Sequence, residues 1–232
     1  MCGRFFQDLD EAEARAYFEI DVSSVAEHGV PARRYNIGPG QAIWTVRTHP
    51  DSKQRSLDAL HWGLIPHFAS DRKVGYRMIN ARAETIDRTP SYRVAFARRR
   101  CLVVASGFYE WRAEGKRKQP FAIAPPDREA TPLALAGIWE NWQDKETGEW
   151  VRSVAIVTTA ANEALRELHD RMPVVLDRAS FARWLGEEPA DLAELKALLR
   201  PTERQLVIWP VDPRMNRVEV EGPEILAPVH TS

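Results

Sequence analysis

The chain has 232 residues, 44% hydrophobic and 28% charged, which suffices for one ordinary globular core and reads as a single domain, residues 1–232, without repeats. Two cysteines, Cys2 and Cys101, exclude a disulfide framework, and no apolar stretch reaches the length of a membrane span or secretory leader, so a cytoplasmic protein without membrane contact is expected. The net charge of -1 conceals an asymmetry: residues 72–118 carry thirteen Lys and Arg against four Asp and Glu, and the remainder nineteen against twenty-nine, which suits a basic patch for a polyanion on an otherwise acidic body.

Taken in chain order, residues 8–20 predict a helix capped by Asp8 or Asp10, with Ala12, Ala14, Tyr17 and Phe18 as apolar contacts. Short β-branched or aromatic runs bounded by Pro and Gly then predict strands at 42–46, 56–62, 101–105, 121–124, 133–139 and 153–158. Residues 161–169 read as a helix capped by Asn162, followed by helical segments at 181–185 and 191–199 and a strand at 205–210. Strands fill the middle and helices the ends, so the expected fold is α+β, with a curved, barrel-like, mostly antiparallel sheet and peripheral helices. Between these elements the stretches 35–41, 62–66, 79–85 and 106–111 set polar side chains among Gly, Pro and aromatics and read as loops.

Removal of Met1 would leave Cys2 with both a free α-amine and a free thiol, whose ordinary pKa values of roughly 8 and 8.5 make each a nucleophile at neutral pH. An aldehyde is the matching electrophile: the amine condenses to an imine and the adjacent thiol closes a thiazolidine ring. Cys101 lies in an apolar run and is expected to be buried, and no Cys/His spacing suggests a metal. Glu110 stands between Tyr109 and Trp111, where aromatic packing raises a carboxyl towards general acid-base range. His169, at the end of the expected helix and before Pro173, is placed where the helix C-terminus favours a protonated ring. Asn80 and Asn36 offer amides that orient a substrate or stabilise their own turns.

Together these segments resemble one family. MCGRF at 1–5, Tyr35-Asn36 with Pro39 and Gln41, WGLIP at 62–66, NARAET at 80–85, RCL at 100–102, GFYEW at 107–111, AGIW at 136–139, Thr158-Thr159 with Asn162, and HDRMP at 169–173 follow the order of the SOS-response-associated peptidase (SRAP) family. The resemblance covers residues 2–176 and leaves 177–232 as a C-terminal extension assigned to packing. It implies a protein that binds single-stranded DNA and shields abasic sites by linking Cys2 to the ring-opened sugar, without a cofactor. By the same resemblance, Asn80 orients the substrate, Glu110 and His169 are catalytic, and Arg4, Arg77 and Arg82 grip phosphates. Trp62 and Asn36 join the DNA-contacting set, and Phe68, after His67, stands where relatives carry a tryptophan that wedges beside a base. The family name adds a peptidase activity directed at Met1 and a slow lyase activity. Implied too are a monomer that is nucleoid-associated when bound to DNA, and replication-fork partners. Two further readings stay open: a non-covalent reader of single-stranded or modified DNA, and an N-terminal-nucleophile amidotransferase, against which Arg4, the short chain and the basic middle argue.

Overall fold

The apolar runs become strands in two sheets. The computed structural model describes residues 2–49, 51–115, 117–128 and 130–230, so the expected removal of Met1, and Lys116 of the basic run, lie outside the described residues. In chain order the elements are β1 (Phe5–Gln7), α1 (Glu11–Phe18), β2 (Val22–Ser23), β3 (Arg34–Ile37), β4 (Ala42–Thr48), β5 (Arg55–Trp62), β6 (Asn80–Arg82), α2 (Arg93–Arg98), β7 (Arg100–Ala105), β8 (Gly107–Glu114), β9 (Arg117–Ala124), β10 (Leu133–Gln143), β11 (Trp150–Ala160), β12 (Arg171–Pro173), β13 (Val175–Leu176), α3 (Phe181–Leu185), α4 (Leu192–Ala197) and β14 (Val207–Pro210).

Strands β11, β10, β7, β4 and β5 pair antiparallel in that order. Strand β5 then closes back on β11 by parallel pairing of His61 with Ser153 and Trp62 with Val154, making a closed five-stranded barrel. The α+β expectation with a barrel-like, mostly antiparallel core therefore holds. Closure removes the free edges that an open sheet leaves exposed. The second sheet runs β14-β9-β8-β1-β3. Strand β7 shows why the run at 101–105 is apolar throughout. Leu102 and Val104 join the core beneath the helices, while Cys101, Val103 and Ala105 join the core that holds Cys2 and Phe5. Both faces of the strand are covered, so the period of two is invisible in hydrophobicity.

The first helix is shorter than expected, and Asp10 caps it: its side chain accepts the Glu13 N–H at 3.0 Å, and Glu13 returns a bond to the Asp10 N–H at 2.7 Å. Several stretches depart from their expected structure, and of those read as loops 35–37 lie in β3 and 80–82 form β6. Residues 107–111, read as a loop, begin β8, which pairs with β9 from Phe108 to Glu114 and with β1 through Phe5 and Phe6. Gly107 permits that approach, since a Cβ there would lie 2.3 Å from the Phe6 ring. Residues 163–168, read as a helix, form turns. Asn162 does take the expected capping position, its Oδ1 accepting the Leu165 N–H at 3.2 Å, and the His169 N–H bonds the Leu165 carbonyl at 3.0 Å before the chain turns into β12.

Candidate active site

Pairing brings distant residues to one end of the barrel. Strand β11 is flanked by β6, which aligns Asn80 with Ile156 and Arg82 with Thr158, and by β12, which aligns Pro173 with Thr158 and Arg171 with Ala160. The motifs at 80–85 and 169–173, ninety residues apart in the chain, thus become neighbours on one strand. From the second sheet, β1 pairs Phe5 with Phe108 and Phe6 with Gly107. Continuing that register sets Glu110 opposite Gly3, near enough for its charge to act on the neighbouring Cys2.

Cys2 is fully buried, and its backbone carbonyl accepts the Asn80 side-chain N–H at 2.8 Å. Asn80 is itself fixed by backbone pairing to β11 and by the Tyr92 hydroxyl, which donates to its carbonyl at 3.0 Å. Burial pushes the Cys2 thiol well above its ordinary value, and the charge of Glu110 pushes it further. The thiol is therefore protonated at neutral pH and needs a base before it attacks. Glu110, 2% exposed, is pushed up to about 7 by burial, with the negative charge of Asp170 adding to the rise. A carboxyl at that value both gives and takes protons at neutral pH.

The His169 ring differs from expectation in charge. Its pKa is lowered, first by desolvation and further by the positive charge of Arg171, and turns rather than the expected helix precede it. Its Nδ1 accepts the Arg171 backbone N–H at 2.9 Å, which puts the proton of the neutral ring on Nε2. The Asp170 carboxylate lies 2.9 Å from the same Nδ1 and becomes its partner when the ring is charged. Arg171, inside the motif at 169–173 but not singled out in the sequence, holds this corner together. Its guanidinium donates to the Thr158 carbonyl at 2.7 Å and pairs with Glu84 at 2.5 Å. The signal available was its place between two motif residues, without any cue to its partners.

The residues expected to contact DNA divide by exposure. Arg77, Arg82 and Phe68 are exposed, Phe68 by 57% with its ring edge-on to His67. Asn36 and Trp62 are buried and present no surface to a ligand, a correction to their expected DNA contact. The Asn36 Oδ1 accepts from Arg4 at 2.6 Å, and its Nδ2 donates to the carbonyls of Met215, Arg217 and Val220 at 3.1, 2.9 and 2.8 Å. Trp62 packs edge-on to Phe5 at 5.2 Å, and its indole N–H donates to the Ile79 carbonyl at 3.0 Å. It thereby ties β1, which follows Cys2, to Ile79, the residue before Asn80. Arg4 is half-buried and bonds Asn36 and the Met215 carbonyl. The C-terminal extension, whose role the sequence left open, thus grips the segment that follows Cys2. Among the described residues no group of three or more His, Cys, Asp or Glu is arranged to hold a metal ion, and no helix is long and apolar enough to cross a membrane.

Comparison with known proteins agrees with this architecture. Residues 1–218 match the family model described as SOS response associated peptidase (SRAP). Abasic site processing protein YoqW of Bacillus subtilis (strain 168) is 36% identical over 230 residues, spanning 97% of this chain and 99% of that protein. Abasic site processing protein HMCES of Gallus gallus is 31% identical over 222 residues, spanning 84% and 66%. An X-ray structure of a protein from Bacteroides thetaiotaomicron superposes with a TM-score of 0.85 at 25% identity, covering 99% of this chain and all of that one.

Proposed function

From a chain that belongs to the SRAP family, and whose relatives carry the name abasic site processing protein, we propose a protein that captures abasic sites in single-stranded DNA through a thiazolidine on Cys2. The observation that carries this reading is the convergence on Cys2 of Glu110, a carboxyl raised to about 7, and of Asn80, whose side chain holds the Cys2 carbonyl. Once Met1 is removed, the Cys2 amine adds to the C1′ aldehyde of the ring-opened sugar. Glu110 accepts a proton from the amine and returns one to the leaving hydroxyl, so water departs and an imine forms. The thiol then adds across the C=N bond, its proton passing to the nitrogen, and the five-membered ring closes with no further atom lost.

Proximity makes the second addition intramolecular, which compensates for a thiol that burial keeps protonated. The Nε2–H of neutral His169 donates to the sugar ring oxygen as the hemiacetal opens. Arg77 and Arg82 hold phosphates on either side, and Phe68 stacks beside a flanking base. The imine that precedes ring closure is also the species from which a 3′ phosphate can be eliminated, and this accounts for slow lyase activity as a side reaction.

The decisive experiment mixes protein, shown by mass to lack Met1, with single-stranded DNA carrying one abasic site and resolves the products on a denaturing gel. A shifted band that needs the abasic site and vanishes in Cys2→Ala supports covalent capture. No band from the processed protein overturns it and leaves a non-covalent reader.

A further inference from the structure

Three Phe, Tyr and Trp side chains are exposed among the described residues: Phe68 by 57%, Tyr76 by 65% and Trp150 by 59%. Trp150 opens β11, which pairs with both β5 and β6, and Phe68 and Tyr76 stand on the connection between those two strands, which contains the 3-10 helix Arg72–Arg77. At its end Arg77 stands three residues from Asn80 and the candidate active site. At its start Arg72 lines an open cavity of about 560 Å³, together with His61, Asn141, Glu149, Trp150 and Arg152.

Two independent measures give the separation. Six residues of 3-10 helix at a rise of about 2.0 Å span about 12 Å. Along β11, Asn80 aligns with Ile156, and Arg152 lies four residues before it, about 13 Å away at roughly 3.3 Å per residue. About four stacking steps of about 3.4 Å cover the same distance, and fewer do so if the strand is extended.

The lining has the chemistry that single strands use. An exposed indole offers a stacking face, and two exposed guanidinium groups, Arg72 and Arg152, offer phosphate contacts against one carboxylate, Glu149. The His61 ring is held towards its neutral form by burial and by Arg72, so it does not compete for the phosphate charge. Among the described residues the buried Oδ1 of Asn141 has no hydrogen-bond partner, a polar group that the amino edge of a base can satisfy.

We infer that this cavity is a second nucleotide site, which takes one base of the same DNA strand on Trp150 with its phosphates on Arg72 and Arg152. The inference rests on the single-strand reading above and adds a place where the strand is gripped away from the lesion. Two lining residues sit on paired barrel strands, His61 on β5 and Arg152 on β11 next to the Ser153 that pairs with His61, so these positions are fixed before any strand binds.

The test uses the whole chain and single-stranded oligonucleotides with one abasic site, whose 5′ and 3′ arms are lengthened separately from none to six nucleotides. Binding is read by fluorescence anisotropy of labelled DNA, and cross-linking by denaturing gel. Affinity is expected to step up when one arm reaches two to four nucleotides. Trp150→Ala should remove about tenfold of that gain on long arms and leave short-arm binding and cross-linking unchanged, with Trp150→Phe restoring most of it. Parent and Trp150→Ala proteins that gain equally with arm length overturn the site while leaving capture at Cys2 intact. Failure of every oligonucleotide to bind or cross-link overturns both readings. Because Trp150 is exposed on a strand end, its replacement leaves the core packing untouched, and a matching melting temperature checks this.

Discussion

Around Cys2 the functional groups are buried, as Cys2 and Glu110 are, or half-buried, as Asn80 and His169 are, whereas Phe68, Arg77 and Arg82 stand in solvent. Burial in the first region shifts protonation: Glu110 rises to about 7 and the Cys2 thiol rises with it. Exposure in the second leaves charge for reach and steering, screened by salt. Chemistry needs the first environment and capture the second, and the exposed set stands on the connection from β5 to β6 and at the end of β6 itself.

Glu110→Gln should cut deepest into this contrast. The cross-linking rate is expected to fall by about a hundredfold or more, as for loss of a general acid-base, and its pH dependence near 7 should flatten. Stability should move the other way. A carboxyl whose folded pKa is raised binds its proton more tightly in the folded state, so the parent protein loses stability as pH rises from the unfolded value of about 4.3 towards 7. Glu110→Gln lacks that loss and is expected to be more stable than the parent at pH 8 by on the order of 2 kcal/mol, with the difference shrinking towards pH 5. Thermal melts of both proteins across this range check it, and parallel curves would show that burial does not tune the carboxyl.

Asn36→Ala probes whether a buried amide near the site acts as a support or as a contact. Its removal takes an N–H from the carbonyls of Met215, Arg217 and Val220 and an acceptor from Arg4, although Met215 keeps its bond from Arg4 and Arg217 its bond from the Val220 N–H, and should cost about 1–3 kcal/mol in urea denaturation. The salt slope of DNA binding by the folded fraction should not change, and a flattened slope would mean that Asn36 touches phosphate.

Smaller still is the expected effect of Arg77→Ala or Arg82→Ala. Each should lower the slope of log affinity against log salt by about one, with unfolding free energy unchanged within about 0.5 kcal/mol. Full-slope binding by both variants would move the strand off these residues. Phe68→Ala is the mildest: a few-fold loss of affinity for an abasic site flanked by bases, from one stacking contact of about 1 kcal/mol, read by competition against the parent. An equal loss on DNA without an abasic site would remove the wedge from the mechanism.

Several elements were legible before any fold was known. Residues 181–185 form α3 at the expected bounds, and the runs at 42–46, 56–62 and 133–139 lie within β4, β5 and β10. Where the reading went astray, a local cue was outweighed by a distant partner. The stretch at 107–111 has a glycine and polar interruptions, yet it is a strand because β1 and β9 lie on both sides of it. Residues 163–168 carry helical composition, but β12 takes up the chain immediately after, where Ala161 bonds the Asp170 carbonyl at 2.9 Å, and leaves room for turns only. Trp62 and Asn36 had been placed among DNA contacts by residue type, although type alone does not distinguish an aromatic or amide that faces solvent from one that faces the core.

The sequence by itself determined the fold class, the family, and the residue types at the site, since periodicity, turn residues and ordered motifs are local properties written along one chain. Tertiary structure sets the rest: Asn80 and the motif at 169–173 both pair with β11, the C-terminal extension grips Arg4 and Asn36, and desolvation lowers the pKa of His169. Register, burial and the protonation they impose depend on residues far apart in the chain, and those distances exist only once the barrel closes.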